Sequence, residues 1–321
     1  MVSAHLGQNL HHRPLTSIHG KILLFSIIRQ FYTIFAVTST YNKLTKGLFC
    51  GILARMIKLF NEDVLSADLA SLPPINLVVT SPPYNVGIEY DKHVDTMTYD
   101  EYLVWCKQWL GKMYDALAPD GRICINIPFS VTPVHLNKVK GAEDINYPVS
   151  ADYIHICQEI GFKYYRTVIW QKMGSNKTCW GSWRSASSPF IIDPNECILI
   201  FYKDQWKRKD KGVSTIRTKE FMTYVKNLWT MHPETKSKHP AAFPLELPNR
   251  CIKLLSYEGD VVCDPFLGSG TSGEAAVRLK RSFIGVEKSA DYYQMAKDRI
   301  DTAEIQTSLI KSIMPDGDED E

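Results

Sequence analysis

Ser81, Pro82, Pro83 and Tyr84 put a hydroxyl, two prolines and a phenol in direct succession. Proline fixes its own φ and pushes the residue before it into extended conformations, so Ser81 and the carbonyls beside it are held rigidly. A rigid corner of acceptors beside a stacking ring suits a flat ring that carries an amino group. A proline-rich loop after a strand has the same composition, and this corner alone does not separate the two. A second stretch, Asp264-Pro265-Phe266-Leu267-Gly268-Ser269-Gly270-Thr271, makes a tight turn with two glycines. Gly268 and Gly270 lack the Cβ that would hold a ligand off the backbone, and a helix from Ser272 offers its amide-rich terminus. Glu287, ending the apolar run from Ser282, can take both hydroxyls of a ribose. No third glycine and no lysine follow the turn, so neither the dinucleotide fingerprint nor the P-loop is matched. A nucleoside without a pyrophosphate fits better.

Both motifs need the same kind of support. Each follows an apolar run, Ile75 to Val79 and Val261 to Cys263, that reads as a buried strand. Ligands of open α/β sheets bind at the carboxyl ends of such strands. From Met56 the chain alternates strand and helix patterns, which predicts a mainly parallel sheet with helices on both faces. Helices are expected over Tyr99 to Leu117, Ala151 to Ile160, from Ser272, and over Ala290 to Ile300. The aromatics of the first, Tyr102, Trp105 and Trp109, read as core. Strands are expected at Leu59 to Val64, Ile123 to Ile127 and Ser282 to Val286, with Tyr164 to Gln171 and Cys197 to Tyr202 as an antiparallel pair at the sheet edge. Residues 173 to 235 carry no strong helical or strand repeat.

Together and in this order, the two motifs resemble those of DNA amino-methyltransferases dependent on S-adenosyl-L-methionine. SPPY before DPFLGSGT is the order of their circularly permuted β group. The resemblance runs from about Met56 to about Thr302. It implies a single Rossmann-like α/β domain over 56–304, its sheet mostly parallel with an antiparallel edge hairpin, and a target-recognition segment inserted at 173–235. It implies catalysis at Ser81, Pro82, Pro83 and Tyr84. The cofactor would be held by Asp264, Pro265, Phe266, Gly268, Ser269, Gly270, Thr271 and Glu287. His239, Pro240 and Phe243 would close over its methionine end with Phe243 as an apolar wall, although a proline-marked helix start reads the same way. Asp63 would touch the adenine side, although a plain surface acid is the favoured reading of it. Ser in the corner is the family tendency for cytosine N4 and Asp for adenine N6, so N4-cytosine is favoured and N6-adenine is the alternative. The implied partners are double-stranded DNA and a cognate restriction endonuclease acting on the same site. The enzyme would be a monomer or dimer in the cytoplasm of a prokaryotic, archaeal or viral host cell.

The 321 residues suffice for one large α/β domain, and the net charge of +2 does not by itself mark a nucleic-acid binder. Distribution has to carry that argument. Trp180, Trp183 and Arg184 mix rings and charge, and Lys207, Arg208 and Lys209 form a basic run; both can hold bases and phosphates. A solvated charged face looks the same. The eight cysteines form no CxxC pair, which predicts buried free thiols and no metal site. Residues 1–55 contain no Asp or Glu, and their apolar run Ile22 to Val37 is interrupted by Arg29 and Gln30. That run is short for a membrane span, and the segment is expected to lie outside the catalytic fold. Residues 305–321 are expected to form an acidic, disordered tail. A methyltransferase of RNA or protein amines, and a regulator that binds nucleoside and DNA without turnover, are the readings from other classes.

Overall fold

The computed structural model describes residues 55–86, 97–132, 146–174, 181–189, 191–234 and 243–313, with backbone alone at 89–90, 93–94 and 310–313. The expectations for residues 1–54, Trp180, His239, Pro240 and the tail beyond residue 313 lie outside the described residues.

Ten strands and six helices are described. In chain order they are β1 (Ile57–Phe60), β2 (Ile75–Thr80), β3 (Glu89–Tyr90), β4 (His93–Val94), α1 (Tyr99–Ala116), β5 (Leu117–Pro128), α2 (Val149–Ile160), β6 (Lys163–Lys172), β7 (Glu196–Tyr202), α3 (Thr218–Tyr224), β8 (Leu228–Met231), α4 (Glu246–Leu255), β9 (Val261–Asp264), α5 (Thr271–Arg278), β10 (Ser282–Val286) and α6 (Ala290–Ile313). Eight strands form one sheet in the order β1-β10-β9-β2-β5-β7-β6-β8, and β3 and β4 form a separate hairpin. From β1 to β5 all neighbours are parallel. β7 then pairs antiparallel with both β5 and β6.

Central parallel strands are covered on both faces, so they read as continuous apolar runs. β2 (INLVVT) follows this rule and is buried along nearly its whole length. On one face Trp109 and Met113 of α1 pack with Tyr153 and Cys157 of α2. On the other, Leu247 and Ile252 of α4, Ala275 and Ala276 of α5, and Ile300 of α6 form a second core. α1 begins with a capping box: Thr98 Oγ1 accepts from Glu101 N, and Glu101 Oε2 accepts from Thr98 N.

The antiparallel pair is present, but β8 lies outside it, parallel to β6. Trp229 and Met231 alternate with exposed neighbours along this strand of four residues, too short for the period to stand out in the sequence. α6 runs to Ile313, so the expected disordered tail does not begin at 305. The acids that prompted that expectation fall at 316–321. The six described cysteines are buried and free, and among the described residues no cluster could hold a metal ion. No described helix is long and apolar enough to cross a membrane.

Candidate active site

β2 and β9 are direct neighbours, with Leu77 opposite Val262 and Val78 opposite Cys263. Their carboxyl ends therefore present the Ser81 corner and the Gly268 turn side by side. A cavity of about 630 Å³ opens between them, a volume typical of small-molecule sites. Ser81, Pro82 and Pro83 line it from the end of β2, Pro265, Phe266 and Gly268 from the turn, Glu287 from the end of β10, and Asp63 from the loop after β1.

The corner is fixed from several directions. Tyr102 of α1 donates to the Pro83 carbonyl at 2.9 Å. Asn85 sits at φ 54°, a left-handed conformation that Asn tolerates, and its Nδ2 donates to the Met97 carbonyl. The Tyr84 hydroxyl lies 2.7 Å from Ser81 Oγ and 3.3 Å from the Asn126 carbonyl, so its phenol end is bound into the corner. Tyr84 does not line the cavity.

The glycine turn divides its residues differently from the expectation. Gly268, at φ 51°, lines the cavity and its N–H donates to Glu287 Oε2 at 2.8 Å. Gly270 serves packing instead: at φ 81°, a Cβ there would meet Ala296 Cα at 2.8 Å, so its missing side chain admits α6. Ser269 and Thr271 are buried and take hydrogen bonds from Arg299 rather than facing the cavity. Asp264 is also buried, at 1% exposure, and accepts from Thr80 Oγ1, Ser272 Oγ and Phe266 N. Burial pushes its carboxyl up to about 6 against those three hydrogen bonds. It joins the two motifs without reaching the cavity.

Glu287 accepts Gly268 N on one oxygen and Ser289 N on the other. Burial raises its pKa, opposed by these amides. Each oxygen keeps acceptor capacity for a ligand hydroxyl. Asp63 pairs with Lys288 at 3.2 Å and accepts from Leu65 N, at the rim of the same cavity. Phe243 is buried in the core beneath α4 and does not line the cavity, which corrects the expected apolar wall. The aromatic rings that do line the cavity are Trp105 and Phe266, 5.5 Å apart. Trp105 was expected in the core with Tyr102 and Trp109; it occupies the cavity-facing turn of α1, which helical spacing alone cannot distinguish.

The basic run is placed elsewhere. Arg208 is 10% exposed and paired with Asp120 and Asp260. Asp120 and Asp260 sit at the amino ends of β5 and β9, the sheet edge opposite Ser81, so the expected DNA role of Arg208 is corrected. Lys207 and Lys209 are exposed on that same opposite edge. The β6–β7 connection, by contrast, leaves and rejoins the sheet on the Ser81 side. It carries Trp183, 67% exposed, and Arg184.

Sequence reasoning missed Asn126, Glu196 and Lys172. Asn126 Nδ2 donates to Glu196 Oε2 at 2.6 Å and lies 3.3 Å from the Tyr84 hydroxyl. A polar residue inside the apolar run Ile123 to Ile127 was the available signal.

Fold and cavity define a Rossmann-like α/β domain with a small-molecule-sized cavity where two strand tips meet. The chain belongs to the DNA methylase family of N6 and N4 enzymes, whose model matches residues 75–298. It is 46% identical over 183 residues to the type II methyltransferase M.MjaVI of Methanocaldococcus jannaschii, covering 57% of this chain and 89% of that protein. It also resembles TTHA0409 of Thermus thermophilus, solved in complex with S-adenosyl-L-methionine, with TM-score 0.62, 28% identity and coverage of 77% and 94%. The PvuII DNA methyltransferase (cytosine-N4-specific) shares the fold at TM-score 0.56 and 22% identity, with coverage of 79% and 90%.

Proposed function

We propose that the chain is a site-specific DNA methyltransferase of the permuted β group. It transfers a methyl group from S-adenosyl-L-methionine to N4 of a cytosine swung out of duplex DNA. The observation that carries this reading is the single cavity shared by Ser81 and Gly268.

The lining suits that cofactor. Glu287 offers acceptors for ribose hydroxyls, Trp105 and Phe266 an apolar surface for adenine, and Glu62 and Asp63 negative charge for a cation. When bound, the cofactor supplies a methyl group activated on a sulfonium. The Ser81 hydroxyl and the Pro82 carbonyl take the two N–H bonds of the target amine. That would turn the amine lone pair, otherwise delocalised into the ring, toward the donor methyl. The C–S bond that breaks would leave a neutral thioether, and the amine would release one of its two protons to solvent by way of its hydrogen-bond acceptors. Fixed orientation of this kind contributes roughly 7–11 kcal/mol. No cysteine lies in the corner to form the covalent adduct that carbon-5 methylation needs.

The neutral hydroxyl of Ser81 supports cytosine N4; adenine N6 is the alternative within the family. Swinging the base out of the helix costs a few kcal/mol, and the β6–β7 connection on the Ser81 side is the segment we assign to holding DNA. Similarity to a type II methyltransferase supports a restriction-modification setting with a cognate endonuclease. Both motifs and the family match lie beyond residue 55, so deletion of residues 2–54 is expected to leave methylation intact. Modified-base sequencing of DNA from cells that express the chain and lack other methyltransferases tests the proposal. One sequence motif carrying N4-methylcytosine is expected. Unmodified DNA would overturn the proposal, and N6-methyladenine would overturn its base assignment.

A further inference from the structure

We infer that Glu196 is a positioning residue for methyl transfer: held by Lys172, it turns the Ser81 hydroxyl so that a lone pair faces the target amine. The inference rests on the role proposed for Ser81 and adds the group that orients it.

Glu196 opens β7 and Lys172 closes β6, and their antiparallel pairing brings both to the sheet edge where Ser81 lies. Lys172 Nζ and Glu196 Oε1 form an ion pair with the two side chains 24% and 14% exposed. The other carboxylate oxygen accepts Asn126 Nδ2 at 2.6 Å and lies 3.5 Å from the Tyr84 hydroxyl. Tyr84 Oη is in turn 2.7 Å from Ser81 Oγ. Asn126 is 2% exposed, and its Oδ1 is buried with no hydrogen-bond partner. Its amide has turned nitrogen toward Glu196 while leaving the oxygen unmatched, an arrangement that buried amides otherwise avoid.

An ionised carboxylate only accepts, whereas a hydroxyl donates once and accepts twice. Among the described residues the Tyr84 hydroxyl faces two acceptors, the Asn126 backbone carbonyl at 3.3 Å and Glu196 Oε2 at 3.5 Å, and one donor, Asn126 Nδ2 at 3.3 Å, so Tyr84 donates inward. Its oxygen is then the acceptor for Ser81 O–H, Asn126 Nδ2 lies 3.5 Å from Ser81 Oγ, and the remaining Ser81 lone pair is left for the cavity. There it meets the N–H of the amine. A neutral amide at position 196 can donate as well as accept. The chain can then reverse, with Tyr84 donating to Ser81 and the Ser81 proton pointing into the cavity against the N–H of the target.

The test is a double-mutant cycle of E196Q and S81A, read by single-turnover transfer of labelled methyl to duplex DNA. Equilibrium binding of S-adenosyl-L-methionine and of DNA is measured on each variant. E196Q is expected to slow transfer at least about tenfold, the size of one hydrogen bond to a charged group. Cofactor and DNA affinities should stay within about twofold, and the same change on the S81A background should have little further effect. E196D, which keeps the charge, should recover part of the rate. Should E196Q fail to fold, K172M is expected to give the same loss, again absent on the S81A background. Transfer by E196Q at the wild-type rate, or equal losses on both backgrounds, would overturn the inference. A fully active S81A would instead defeat the role proposed for Ser81 itself.

Discussion

Thr80 Oγ1 donates to Asp264 Oδ1 at 2.7 Å, joining the tips of two adjacent parallel strands 184 positions apart in sequence. Ser81 follows Thr80 directly, and Asp264 begins the glycine turn. This buried bond therefore fixes the corner proposed to hold the amine against the turn proposed to hold the cofactor. Asp264 itself does not line the cavity, so its proposed effect on the cofactor runs through that geometry.

D264A should accordingly damage both stability and binding. It strands the Thr80 and Ser272 hydroxyls, each at about 1–3 kcal/mol. Calorimetric melting and cofactor titration of the variant measure the two effects. D264N keeps the shape and adds a pH signature. Because the folded pKa lies above the ordinary 3.8, the folded state binds the proton more tightly than the unfolded chain. This group's stabilising contribution is present below about 4 and is lost as pH rises through about 6, by about 3 kcal/mol at most. The stability advantage of wild type over D264N is expected to shrink across that window in denaturant titrations; an advantage that grew with pH would contradict the assignment.

The two glycines should separate. G268L places a side chain in the cavity and is expected to weaken cofactor binding by about 100-fold or more, equivalent to about 3 kcal/mol. G270A meets α6 instead, at a backbone conformation that also disfavours a Cβ. It should cost at least about 2 kcal/mol of stability. Melting curves and binding isotherms on both variants distinguish these outcomes.

E287A removes the carboxylate proposed for the ribose hydroxyls. Loss of hydrogen bonds to a charged group is worth about 1.5–3 kcal/mol, so the cofactor Kd should rise roughly 10–150-fold. Affinity for DNA alone should not change. Isothermal titration with each ligand checks both statements.

K207A and K209A should leave the salt dependence of DNA binding as it is, because both lysines sit at the edge opposite Ser81. A true phosphate contact would change the slope by about 0.9. R208A breaks a buried ion-paired network and is expected to lower stability by about 3–5 kcal/mol without a specific effect on DNA.

The strands that carry the site were legible because apolar runs ending in SPPY and in DPFLGSGT are local signals. Their adjacency, and so the cavity, followed from recognising both motifs together. What could not be read was which side chains of a motif face the ligand. Gly268 and Gly270 look alike in the sequence, yet only the path of α6 decides that Gly270 is a packing residue. Arg208 looked like part of a basic face because its partners, Asp120 and Asp260, are distant in the chain. Glu196 and Lys172 gave no local signal either; strand pairing alone brings them to Ser81. Trp105 differs from Trp109 only by its place on the helix.

Ser81 and Gly268 are proposed to form one site that moves a methyl group onto a ring amine of DNA. The decisive assay incubates the protein with duplex DNA and methyl-labelled S-adenosyl-L-methionine, then digests the DNA and weighs the nucleosides. Label is expected in N4-methylcytosine for wild type, with at least about a 100-fold smaller yield for S81A and its cofactor binding intact. Label in 5-methylcytosine, or none in any nucleoside, would contradict the proposal.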